Sequence, residues 1–193
     1  QTTLYNLLEP RTFKHLTSIQ LIDGRSESEP LRYWYSRLDT RASSLTGLFL
    51  DPAAHVKATL TDTVLTRKML LLHSTPDKPE GDGFPLGAAP AIPATEYRAA
   101  SDMWGLLGPR VDNLERHGVV NQRIRSMLEA GVERLNEARE FLRQRLYDRF
   151  LESARASWAL ASLVYNDVEN TQKDVLLGVL FYIALFVPFA YCL

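Results

Sequence analysis

Four histidines, His15, His55, His73 and His117, and one cysteine, Cys192, are where metal or nucleophilic chemistry would have to begin in this sequence. A zinc site needs three or four nitrogen or sulfur ligands, commonly with two of them a few residues apart. No two of these histidines are that close, and none stands beside a matching cysteine or carboxylate motif. The lone cysteine rules out an intramolecular disulfide and a cysteine-built metal site, and its place second from the end does not fit a prenylation box. The glycines form neither a dinucleotide-binding fingerprint nor a phosphate loop, and there is no GxSxG elbow and no HExxH helix. Glu27 and Glu29 are paired carboxylates, but they belong to a polar SESE run followed by Pro30, which reads as a helix start. The sequence therefore points to no catalytic residues, no cofactor and no metal, and the chain is expected not to be an enzyme.

What does stand out is recognition chemistry. Tyr33-Trp34-Tyr35 sets three large aromatics in a row. On a helix three consecutive residues span about 200°, so they cannot all face one core. Trp34 shares helical spacing with Leu31 and Leu38 and is expected inward, which leaves Tyr33 and Tyr35 as the candidate protein interface. Trp104 and Trp158 read as core anchors.

The strongest positional signal is the uncharged stretch Val175 to Leu193, VLLGVLFYIALFVPFAYCL. Its length as a helix is roughly 28 Å, against about 30 Å of bilayer hydrocarbon, so it reads as a transmembrane anchor. Within it Gly178, Tyr182, Phe186 and Pro188 give a rough surface suited to packing against other membrane helices, and a tyrosine in mid-span favours a helix inside a larger assembly.

The elements expected to hold these residues are all helical. The fold class read from the sequence is all-α: an irregular helical N-terminal region, a long amphipathic helix and a single C-terminal transmembrane helix. Helices are expected near 30–50, 52–73, 95–107 and 111–168, with no sheet of more than two strands. Leu4, Leu7 and Leu8 suggest a short turn, and residues 1–29 are otherwise expected to be irregular. Asp51-Pro52 reads as the cap and first turn of the second helix, and Gly108-Pro109 as a break. A stripe from Ile124 through Leu135, Phe150 and Trp158 to Tyr165 drifts off the heptad, so it is not a sustained coiled coil. Between Arg123 and Arg155 its polar face carries eight arginines and six acids, many three or four apart. A bend is expected near Asp167–Lys173, with Thr171 and Asp174 forming a capping box for the anchor. The resulting organisation is 1–73 N-terminal helical region, 74–95 Pro/Gly-rich strap lying extended over a neighbour, 96–170 helical region, and 174–193 anchor.

Net charge is −1, so nothing favours a nucleic-acid partner. Arginine outnumbers lysine 17 to 5, which fits fixed ion pairs as well as a GC-rich genome. The chain starts at Gln1 rather than Met, as after removal of an organellar import leader. Together these features suggest a non-catalytic accessory or supernumerary subunit of a large membrane complex. The expected place is the mitochondrial inner membrane, in a respiratory-chain complex or ATP synthase, with other subunits and the lipid bilayer as partners. Because the basic residues lie on the N-terminal side of the anchor, the N-terminal region leans towards the matrix. The alternative is a tail-anchored fusion or tethering protein of the SNARE type, in which a long helix likewise ends just before an anchor.

Overall fold

The computed structural model describes residues 2–5, 16, 18–39, 44–61, 68–87 and 91–192. It is a mixed α/β structure, which overturns the all-α reading. Among the described residues eight strands precede three helices: β1 Thr2–Tyr5, β2 Ser18–Asp23, β3 Tyr33–Asp39, β4 Ser44–Leu50, β5 His55–Thr61, β6 Lys68–Leu71, β7 Phe84–Pro85 and β8 Ala91–Ile92, then α1 Thr95–Arg116, α2 Gln122–Arg143 and α3 Tyr147–Cys192. One sheet has the order β3-β4-β1-β8, and the other runs β2-β5-β6 with β7 also pairing β5. The expected helices over 30–50 and 52–73 are therefore two antiparallel strand pairs, and the expected irregular segment before residue 30 carries β1 and β2. The turn proposed at Leu7 and Leu8 lies outside the described residues, as does His15.

The misreading has a physical cause. Residues i and i+4 share a face on a strand as well as on a helix. Val56 and Leu60 satisfy both periods, and so do Trp34 and Leu38. What separates them is the residue between: Ala58 is buried with Val56 and Leu60 on one face of β5. The threonines at 59 and 61, poor helix formers, suit a pleated surface. Asp51 does cap, but a turn: its carboxylate accepts from Ala53 N at 2.9 Å and its carbonyl from Ala54 N at 2.9 Å, reversing the chain between β4 and β5. The SESE segment is likewise a turn, closed by the Asp23–Ser28 bridge.

The 74–95 segment, in its described part, folds back on its own chain. Gly81 and Gly83 adopt φ of 70° and 81°, and a Cβ at Gly81 would meet the Leu72 carbonyl oxygen at 2.0 Å. Phe84 and Leu86 then enter the core beside β5, and Ile92 does so beside β1.

One core joins both sheets to the helices, with Leu4 and Leu48 from the first sheet, Leu21 and Leu60 from the second, Met103 and Leu107 from α1, and Trp158 and Val164 from α3. Both expected tryptophan anchors are there: Trp104 and Trp158 are buried. Trp104 Nε1 donates to Ser157 Oγ at 2.9 Å, and that hydroxyl donates to the Gly131 carbonyl at 2.7 Å, tying the three helices at one point. Gly131 has no room for a side chain, because a Cβ there would lie 2.0 Å from Trp104 Cζ2.

The helix boundaries also differ from expectation. Pro109 sits inside α1 rather than breaking it, at the loss of one hydrogen bond to the Gly105 carbonyl. The single long helix expected over 111–168 is the end of α1, all of α2 and the first part of α3, broken at His117–Asn121 and reversed at Gln144–Leu146 with Arg145 at φ 59°. The helix does not break at 167–173. Thr171 is not a cap: its hydroxyl donates to the Asp167 carbonyl at 2.8 Å inside a continuous α3.

The buried side of α3 ends at Val168, and from Lys173 onward its described side chains are exposed or half-exposed. Only one helix of the described residues is long and apolar enough to cross a membrane, and it is this one.

Candidate protein-docking surface

The three consecutive aromatics stand on β3, an edge strand that pairs, among the described residues, with β4 alone. Alternation along the strand divides them between two faces. Tyr33 and Tyr35 lie opposite Leu50 and Leu48, on the face whose centre is the buried Leu48, Thr46 and Leu4. Trp34 and Leu38 lie opposite Phe49 and Leu45 on the other face. There Trp34 is 71% exposed, Leu38 60% and Phe49 40%. The expectation that Trp34 points inward is thus wrong. Tyr33 and Tyr35 keep part of their surface in solvent at the rim of the inner face, and the most exposed of the three is the residue that helical spacing assigned to the core.

The run from Tyr33 to Leu38 carried a usable signal. Three aromatics in succession are favoured on a pleated surface. Asp23-Gly24 and Asp51-Pro52 bound it as turns on either side.

Polar residues border this stripe. A cleft of about 700 Å³ adjoins it, where the Asp23–Glu29 turn faces Leu50–Ala54. Arg25, Glu29, Arg32 and Asp51 give it charge of both signs, while the fully exposed Leu31 lies at its edge. Tyr33 donates its hydroxyl to Glu29 Oε1 at 2.5 Å, and that bond, with the adjacent negative charge, holds the phenol protonated above its ordinary range. Arg25 Nη2 lies 3.0 Å from His55 Nε2. Lys57, buried at its stem, reaches Glu27 Oε1 at 2.6 Å. An apolar centre with a charged rim is the ordinary anatomy of a protein interface.

The stripe's cleft and the apolar end of α3 lie at opposite ends of the second sheet. Lys68, at the start of β6, donates to Glu169 Oε2 at 2.7 Å and stands 4.8 Å over the Tyr165 ring, which marks the end of the sheet nearest the apolar segment. β5 runs from His55 at the cleft to Thr61 beside Lys68, roughly 20 Å at the usual strand rise.

The remaining sequence candidates are scattered. His55 meets Arg25, His73 stacks on Phe84 with ring centroids 4.9 Å apart, and His117 Nδ1 lies 2.8 Å from the Asn113 carbonyl at the end of α1. Among the described residues no group of three or more His, Cys, Asp or Glu is placed to hold a metal ion. Gly178, Tyr182 and Phe186 fall at every fourth residue, on one side of the uncovered part of α3, and Pro188 follows within the same helix. The side chain of Cys192 lies outside what is described.

Sequence reasoning missed two buried carboxylates. Asp102 of α1 accepts from Leu72 N at 2.7 Å, His73 N at 2.9 Å and Ser74 N at 3.0 Å, holding the exit of β6 while His73 takes a left-handed φ of 57°. Burial raises its carboxyl pKa, and the three N–H donors oppose the rise. Glu96, in the first turn of α1, is buried; its carboxyl meets its own backbone N–H and Arg155 Nε at 3.4 Å, and its Oε2 has no hydrogen-bond partner. Burial pushes it above the ordinary carboxylate range against the pull of Arg155.

No family model matches this chain, and no curated protein or solved structure is similar enough to count as a match.

Proposed function

We propose that this chain is a non-catalytic, membrane-anchored subunit that docks a partner protein on the outer face of β3 and β4 within a larger membrane complex. The observation that carries the reading is the stripe of Trp34, Leu38 and Phe49, exposed together at the edge of a sheet. Scattered apolar residues on a surface need no explanation, but a contiguous patch bordered by charge does. Tryptophan and tyrosine commonly dominate binding energy at such places. An edge strand offers main-chain donors and acceptors that a partner strand can also use.

The tether reading has less support. A SNARE-like protein needs a free helical stripe for its partners. Here Leu135, Trp158, Ala161 and Val164 are buried within the chain's own core. The mitochondrial inner membrane remains part of the proposal, tested by where the native particle fractionates.

The test is native mass in a mild-detergent extract, compared between the wild type and a Trp34→Ala, Leu38→Ser variant. The wild type is expected in a large particle and the variant outside it, each lost contact residue costing about 2 kcal/mol or more of binding. Because these side chains are exposed, unfolding of the variant should stay within about 0.5 kcal/mol of wild type. A variant that keeps the native mass, or a wild type that runs alone, removes the docking role. The companion variant Tyr33→Ala, Tyr35→Ala separates the faces: loss of thermal stability with normal assembly would assign both tyrosines to the fold.

A further inference from the structure

The corner between α1 and α2 sits beside the last polar turn of α3. Arg123 Nη2 lies 3.7 Å from Asp167 Oδ2. One turn nearer the corner, Val119 and Asn121 close with Thr171 around a space of only about 10 Å³. Going back along α2 towards the corner is therefore going forward along α3 towards Val175. From Thr171 to Val175 is about 6 Å of helical rise. The headgroup layer on each side of a bilayer is about 5–7 Å deep. The tip of the corner, Gly118–Val120, consequently comes level with that layer when the apolar part of α3 crosses the membrane.

The corner is built for such a place. Gly118 turns the chain at φ 83°, and a Cβ there would meet nothing. Asn121 caps α2, accepting from Arg123 N at 3.1 Å and Ile124 N at 3.3 Å, so the turn is held by its own hydrogen bonds. Val120 projects from it 71% exposed, an apolar side chain with no protein neighbour to account for it. Arg116, Arg123 and Lys173 are the long basic side chains of this region, and such side chains can lie along a headgroup layer with their charges in water. The charges of the region balance: Arg123 faces Asp167, Lys173 lies 3.0 Å from Glu169, Arg125 pairs with Asp112 and Glu115, and Arg116 donates its Nε to the Asp112 carbonyl at 3.3 Å.

We infer that the His117–Asn121 corner is a second membrane contact, with Val120 seated in the headgroup layer of the bilayer that α3 enters. The local charge balance selects no anionic lipid, so the contact is with the interface of an ordinary zwitterionic bilayer. Its role is to fix the tilt of the head over the membrane, which a single helix alone cannot do. The inference rests on α3 as a membrane span and not on the docking surface.

The test places the full chain, with Cys192→Ser, in phosphatidylcholine nanodiscs and attaches a fluorophore at Val120→Cys or, as reference, at Leu142→Cys. Leu142 is exposed near the opposite end of α2. Lipids carrying a shallow quencher should quench the label at 120 severalfold more than the label at 142, and aqueous iodide should show the reverse order. Equal lipid quenching at both sites would describe a head lying along the membrane and overturn the inference. Absence of lipid quenching at 120 would overturn it equally. A protein that fails to enter the nanodisc removes the membrane span itself, whereas entry with a water-exposed label removes only the corner contact.

Discussion

Glu96 is the residue whose environment has the sharpest consequence. Its carboxyl is buried at the start of α1, where it meets its own backbone N–H and a distant Arg155 and its Oε2 has no hydrogen-bond partner. Burial, the largest influence, places its pKa in the folded protein above the unfolded value of about 4.5. The folded state therefore holds this proton more tightly than the unfolded chain does. Protonation costs folding nothing below the unfolded pKa, and stability is lost as pH rises from there through the raised folded value. Glu96→Gln removes the titration while keeping the shape. The variant should match wild type under acid conditions and gain on it progressively towards neutrality, as read by urea unfolding followed across that range. A constant difference at every pH would mean that Arg155 compensates the buried charge fully.

Trp34 makes a related point about legibility. Its assignment to a core followed from spacing with Leu31 and Leu38, and that spacing is real. On β3 only its i, i+4 part survives: Trp34 and Leu38 share a face, and that face is the exposed one, whereas Leu31 precedes the strand at an odd spacing from Trp34. Hydrophobicity at i and i+4 identifies neighbours on a surface but not which side of the surface water occupies. The tyrosines were separable from Trp34 because consecutive residues share a face in neither geometry, but on β3 it is Tyr33 and Tyr35 that lie on the inner face and Trp34 on the outer one.

At the scale of elements, the helical half of the chain was readable and the strand half was not. The pattern from Ile124 onward repeats over enough turns to exclude a strand, so α2 and α3 were visible as one stripe. Their reversal at Gln144–Leu146 was hidden because a left-handed residue there is arginine, not glycine or asparagine. The strands are short, carry two-sided sequences and are tied by long-range pairing that leaves no local mark. Asp102 is the clearest case. Within the sequence it is an acid on a helical polar face, yet it holds the chain as it leaves β6, thirty residues earlier than itself.

That contact is testable. Asp102→Asn keeps the volume but turns one oxygen into an NH₂ group. Leu72 N and His73 N share one carboxylate oxygen and Ser74 N uses the other, so at least one N–H loses its acceptor in either orientation of the amide. A buried donor left unpaired costs about 1–3 kcal/mol. Thermal unfolding should register that loss, and hydrogen exchange should quicken at residues 72–74. Unchanged exchange at these amides would show that the β6 exit is held by other contacts, such as Ser74 Oγ donating to the Pro79 carbonyl at 2.8 Å.

For the whole molecule, the decisive feature is that one helix belongs to two environments. Up to Val168 the inner side of α3 is core, closed by Trp158, Ala161 and Val164. Beyond Lys173 the same helix runs on with Leu176, Leu180, Phe181 and Leu185 about half-exposed or more, and no protein covers them among the described residues. Water would not tolerate that surface, while a bilayer requires it, because there the backbone groups are already paired within the helix. Since no break in the helix separates the two parts, the head is coupled directly to the apolar segment, and the core owes nothing to residues beyond Lys173. Leu185→Arg tests the division. A charge near the middle of the span costs about 2.5–3.5 kcal/mol on the insertion scale. The variant should move from the membrane pellet to the supernatant on carbonate extraction while its circular dichroism keeps the mixed helix and strand signal of the wild type, because the side chain removed lies outside the core. Retention of the variant in the pellet, with the wild type already extractable, would place the apolar surface of α3 against protein rather than lipid.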